Sequence, residues 1–200
     1  MDQEDDVMAQ EIRYGEVSRS QTEETITDAI GLLKRDHKLV DELFNEFQQA
    51  SDQQLDPMAR RICKLLRIHA QIEEEIFYPA ARRALDDAEL MDRSEHDHAQ
   101  AKATITRIES TTSDDATFKA TVALLAEQVR SHVAVEETEV FPKLPGKLDL
   151  VSIGIALAER RDTLMDVLGL HSDDEEGAAQ QRALLEEARA ARETRSKEQH

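Results

Sequence analysis

Two pairs of residues repeat one spacing: His69-x-x-x-Glu73 and His132-x-x-x-Glu136. Residues four apart lie one turn apart on the same helix face. Such a pair can offer an imidazole nitrogen to one cation and a carboxylate that reaches two. Both pairs fall in phase with an apolar stripe, at 62, 66, 69, 73, 76 and at 118, 122, 125, 129, 132, 136, so both point inward on a helix. A carboxylate buried without a partner costs roughly several kcal/mol. Two of them facing histidines make sense if cations lie between.

Two more stripes carry a histidine at a core position. The first reads 30, 33, 37, 40, 44, 47 and includes His37; the third reads 91, 98, 101, 105, 108 and includes His98. His96, two residues from His98, is turned about 200° round the helix and is assigned to the surface. Four helices thus each turn a histidine inward near the midpoint. In an antiparallel bundle midpoints share one level, so the four imidazoles converge. Nitrogen and carboxylate donors without thiolate fit iron, manganese or zinc, and a two-metal site with open positions favours iron.

The elements needed to position them are legible as helices. Ala, Leu, Glu, Gln, Arg and Lys dominate, with six Gly, four Pro and no Trp in 200 residues, which suits long helices and short links. The periodic segments run from about Thr25 to Ala50, from an expected N-cap at Asp56-Pro57 to just past Pro79, from Asp86-Asp87 onward, and from the STTSDD cluster to Pro142. A fifth spans about Leu150 to Leu168, with Gly169 as its C-terminal cap. The expected fold is all-α: an antiparallel up-down four-helix bundle with an additional C-terminal helix. The domain reading is an acidic, flexible arm over 1–23, the metal-binding bundle over 24–148, the fifth helix over 149–170 packed on or near it, and a polar, helix-prone tail over 171–200.

A net charge of −18 argues against nucleic acid or an anionic membrane as partner. No apolar run is long enough to span a bilayer. The lone Cys63 reads as a small core residue and the chain fits a reducing, cytoplasmic compartment. No Gly-rich phosphate loop is present. Tyr78, near the site in the chain, points sideways by helical phase.

The segments RDHKLVDELF around His37, HAQIEEEIFYPAAR around His69 and Glu73, DHAQAKATITRIES around His98 and SHVAVEETEVFPKL around His132 and Glu136 resemble the hemerythrin HHE cation-binding family of bacterial type. The match runs from about Ile26 to Leu170. Asp97-His98-Ala99 with Lys102 fits that family's third-helix pattern and supports His98. The resemblance implies the metal ligands His37, His69, Glu73, His98, His132 and Glu136, two non-haem iron ions bridged by the glutamates and by an oxo or hydroxo group, and terminal histidines. Other divalent metals are compatible with the same donors.

The chain departs from the oxygen-carrying members, whose third helix bears an HxxxH pair. Ser94 and Lys102 stand four residues either side of His98. One iron is then short of a nitrogen, a place open to water, a tyrosine, a nearby carboxylate or His96. This argues against reversible oxygen carriage. The expected function is binding of, or reaction with, dioxygen, peroxide or nitric oxide, in sensing, scavenging or oxidative stress. The alternative is a metal-dependent regulatory module whose site stabilises the bundle while its tails recruit a protein partner or a second copy. A ferritin-like carboxylate oxidase fits poorly, since only Glu95-His98 has its ExxH spacing. A haem bundle leaves both buried glutamates unexplained.

Overall fold

The computed structural model describes residues 28–170; the arm and tail expected at 1–23 and 171–200 lie outside the described residues. Five helical rods follow one another. Helix α1 spans Ala29–Gln49 and α2 spans Asp52–Ile72. A π-helical turn, Glu73–Phe77, joins α2 to α3, Tyr78–Ala84. Then come α4, Ala88–Glu109, and α5, Phe118–Val135. A second π-turn, Glu136–Val140, and a 3-10 turn, Phe141–Lys143, end the fourth rod. The last helix, α6, spans Leu150–Val167 and lies against α1, α2 and the first π-turn. The first four rods form the up-down bundle. Among the described residues no helix is long and apolar enough to cross a membrane.

Local chemistry sets the boundaries. Asp28, Asp87 and Asp149 accept hydrogen bonds from the backbone N–H of Gly31, Leu90 and Ser152, each capping the helix that follows. The second helix starts five residues earlier than its Asp56-Pro57 signal suggests. The Gln54 side chain accepts from the Ser51 backbone N–H at 3.1 Å and closes the N-terminus there. Asp56 instead accepts from Ser113 N–H at 2.9 Å and ties down the α4–α5 link. Pro57 is the sixth residue of α2, past the turn whose N–H groups lack partners, so the helix forgoes one backbone bond there. Gly169, with φ of 63°, follows α6 in the left-handed conformation expected of a C-terminal cap.

The core has two apolar halves. Phe44, Phe47, Ile62, Ile105, Phe118 and Leu125 fill one; Leu32, Phe77, Met91, Phe141, Leu144 and Leu157 fill the other. Between them the same stripes carry the buried histidines and glutamates. Cys63 is buried in the first half, and burial pushes its thiol up to about 12, far above reactive range.

Helix α6 reaches the bundle through a close backbone crossing. A Cβ on Gly154 would lie 2.7 Å from both Ala29 N and Asp28 C. Gly154→Ala must therefore push α6 off α1. The expected cost is about 1–3 kcal/mol, read as a lower Tm by thermal unfolding. An unchanged Tm would show that this crossing tolerates a methyl group.

Candidate metal centre

Six side chains from four rods meet in the layer between the apolar halves. His37 comes from α1, His69 from α2, His98 from α4 and His132 from α5. Glu73 and Glu136 each open a π-turn and have no exposed surface. All four histidines are buried. His96, by contrast, is exposed and pairs with Gln100, in keeping with its phase.

The donor atoms fall into two overlapping groups. His37, His69, Glu73 and Glu136 form one; Glu73, His98 and His132 form the other; within each, the atoms lie within 4.8 Å of one another. Glu73 Oε2 stands 3.1 Å from His69 Nε2 and 3.2 Å from His98 Nε2, so it faces both groups. Glu136 Oε2 does the same, 3.3 Å from His37 Nε2 and 3.5 Å from His132 Nε2.

These distances are short, yet several lack hydrogen-bond alignment. His37 Nε2, His69 Nε2, both Glu73 oxygens and Glu136 Oε2 are buried without a hydrogen-bond partner. Each orphaned polar atom costs about 1–3 kcal/mol. His98 Nε2 and His132 Nε2 face each other at 3.1 Å, which leaves at least one nitrogen directed at another nitrogen. Donors that crowd a common centre without bonding one another fit a cation between them. The cluster passes that test as a metal site.

A ring of carboxylates stands behind the imidazoles. His37 Nδ1–H donates to Glu137 at 3.0 Å, and His98 Nδ1–H donates to Glu74 at 3.1 Å. His69 Nδ1 lies 3.7 Å from Asp36, and His132 Nδ1 lies 3.9 Å from Asp97. At His37 and His98 the hydrogen-bonded carboxylate holds the proton on Nδ1 and leaves Nε2 free to face the centre, whereas Asp36 and Asp97 stand beyond hydrogen-bond distance of their rings. Cations anchor two of the four: Lys102 binds both Glu74 oxygens at 2.6 and 2.5 Å, and Arg161 of α6 lies 2.9 Å from Asp36.

Sequence phase alone misplaces Tyr78. Five α-helical steps from Glu73 would turn it about 140° away from that residue. In the π-turn, Tyr78 N–H instead bonds the carbonyl of Glu73, five residues back, and the phenol swings into the core. Its hydroxyl donates to Glu136 Oε1 at 2.8 Å and lies 3.2 Å from His98 Nε2 and 3.3 Å from His132 Nε2. The second π-turn treats Phe141 alike. That ring stacks on His37, centroids 5.9 Å apart at 6°. Pro79 and Pro142 follow the two turns at the same offset. A proline ring needs room against the preceding turn and has no N–H to give, and the wider turn supplies that room.

Without a cation the charges are unevenly held. Burial opposes a charge on His69, but Glu73 and Asp36 outweigh it and lift the imidazole well above its ordinary value. Burial likewise opposes charge on His98, yet the Glu73 and Glu74 carboxylates beside it raise it to about 9. His132 is lowered, chiefly by burial. Burial pushes Glu73 up, but His69 and His98 pull it well below the carboxylate range. Burial and the facing Glu73 and Glu136 push the Tyr78 phenol well above its usual value.

The donor set, its layer in the bundle and the paired HxxxE helices coincide with a known domain: residues 28–144 match the hemerythrin HHE cation binding domain. The chain belongs to the hemerythrin HHE family. It is accordingly a metal-binding helical domain. A hemerythrin HHE cation binding domain-containing protein of Mycobacterium kansasii shares the fold, with a TM-score of 0.62 at 19% identity, over 80% of this chain and 98% of that one. A DNA nickase of Nostoc sp. (strain PCC 7120) is 30% identical over 118 residues, which are 58% of this chain. The aligned stretch spans only 33% of that nickase.

The Arg161–Asp36 pair joins α6 to the HHE layer and has a defined pH signature. Burial raises Asp36, but Arg161 and then His69 outweigh it and hold the carboxyl below its ordinary value. A depressed carboxylate adds stability above its unfolded pKa and loses it as pH falls through the folded one. Arg161→Met, which strands that charge, should cost about 3 kcal/mol at neutral pH. The gap between variant and parent should narrow below about pH 4. Denaturant unfolding of both proteins across pH reads this; a gap independent of pH would contradict it.

Proposed function

We propose that His37, His69, Glu73, His98, His132 and Glu136 hold two iron ions, and that the loaded protein binds or reacts with dioxygen, peroxide or nitric oxide in sensing, scavenging or protection from oxidants. The observation that carries this reading is the pair of overlapping donor groups sharing two fully buried glutamates. Iron held there supplies redox chemistry and open coordination positions for a small oxidant.

The chain's own residues do the rest. Glu137 and Glu74 keep the Nδ1 protons of His37 and His98 in place and their Nε2 atoms available. The apolar halves on either side exclude water. A cavity of about 30 Å³ lies against all four histidines, walled by Val40, Leu66, Ala101, Ile105 and Val129. That volume holds roughly two water-sized species, which suits a diatomic or peroxide. Tyr78 stands in the group that has three donors, where the third helix lacks a second histidine. It fills that place as the extra oxygen donor.

A second reading, a metal-dependent interaction module, draws on the Arg161–Asp36 and Arg160–Glu75 pairs that tie α6 to the site. Through them, metal loss would loosen the helix that leads into residues 171–200.

One experiment separates the two. Protein loaded with iron without oxygen is expected to unfold at a higher Tm than chelated protein, and to develop ligand-to-metal absorption bands with oxygen or peroxide. A raised Tm with no optical response to dioxygen, peroxide or nitric oxide favours the interaction module and sinks the oxidant reading. Tyr78→Phe should alter the bands of the loaded protein while leaving its four histidines loaded. A spectrum identical to the parent would remove Tyr78 from the metal's surroundings.

A further inference from the structure

Gln128 lies on α5 one turn before His132 and lines the cavity that the four histidines share. Its amide oxygen is buried and has no hydrogen-bond partner. Of the other polar groups on that wall, Asp36 pairs with Arg161, Lys102 with Glu74, Asp97 stands 3.9 Å from His132, and the four histidines belong to the metal centre. An orphaned acceptor is costly beside Val129 and Val133 on the same wall, and a packed bundle would be better served there by leucine or methionine. Its presence is explained if the missing donor arrives with a ligand.

We propose that Gln128 is a specificity-determining residue of this cavity, its amide oxygen accepting a hydrogen bond from a ligand that carries O–H, so that hydrogen peroxide is favoured over dioxygen and nitric oxide. The inference rests on the oxidant reading above and narrows its substrate class. Hydrogen peroxide brings two oxygens, which the cavity accommodates, and two O–H donors. Dioxygen and nitric oxide fit the same space but have no proton to offer, so the amide gains nothing from them. The Gln128 contact is a binding interaction and involves no bond change of its own.

The test compares the full-length parent with Gln128→Met, which keeps length and removes the acceptor. Both are loaded with iron without oxygen and mixed with hydrogen peroxide or, separately, nitric oxide. The peroxide concentration giving half the maximal rate of optical change should rise roughly fivefold in the variant, the value of one neutral hydrogen bond. Nitric oxide affinity should stay within about twofold, since it makes no such bond. The metal-free variant should be at least as stable as the metal-free parent in thermal unfolding, because an unsatisfied polar atom has gone. A variant that matches the parent with peroxide overturns the proposal, as does one that loses nitric oxide affinity in parallel. A markedly lower Tm of the metal-free variant would assign Gln128 a structural role instead. If the parent responds to none of the ligands, the oxidant reading itself fails; if the parent responds and the variant is indistinguishable, only the role of Gln128 fails.

Discussion

Two carboxylates with no access to water, Glu73 and Glu136, are the constraint on which this bundle is organised. Buried charge of that kind is tolerable only when opposite charge is supplied at short range. Four imidazoles supply part of it. Their nitrogens gather round the carboxylates at 3.1–3.5 Å, but several of these contacts are not aligned as hydrogen bonds. The layer is thus poorly satisfied by its own members and well arranged for cations. The apolar halves above and below keep it dry and hold the four rods in register.

The surrounding structure does two jobs for that layer. Asp36, Glu74, Asp97 and Glu137 stand at the outer nitrogens of the four rings, and Lys102 and Arg161 anchor two of these carboxylates. The pattern is crosswise. Each Asp precedes the histidine of its own helix yet stands by the histidine of a neighbour, so every ring faces a carboxylate from another rod. The two π-turns do the second job. Each begins at a site glutamate and brings an aromatic ring five residues on against the site, Tyr78 at one and Phe141 at the other. The two halves are alike in backbone and unlike in chemistry, since only Tyr78 carries a hydroxyl.

Much of this was legible in the sequence because it follows simple periodicity. His37, His69, Glu73, His98, His132 and Glu136 stand out as polar residues on apolar stripes, and phase alone turns His98 inward and His96 outward. The bundle and its fifth helix follow from stripe length and link length. What periodicity could not reach depends on local departures from it. Tyr78 is displaced by a π-turn, and only the repeated offset of Pro79 and Pro142 from the HxxxE pairs hints at one. The early start of α2 rests on Ser51 and Gln54 outcompeting a stronger-looking Asp-Pro signal. The carboxylate ring depends on contacts between helices, although the twin Asp-His and Glu-Glu dipeptides foreshadow it. Gln128 looks like an ordinary polar residue until its buried oxygen and the cavity are seen together.

The claim at the centre is that six side chains on four rods hold two iron ions, with both glutamates shared between them. Anomalous difference maps across the iron absorption edge, from crystals of protein loaded without oxygen, test it most directly. Two peaks are expected in the histidine layer, each in contact with both Glu73 and Glu136. A single peak, or none among these residues, would contradict it.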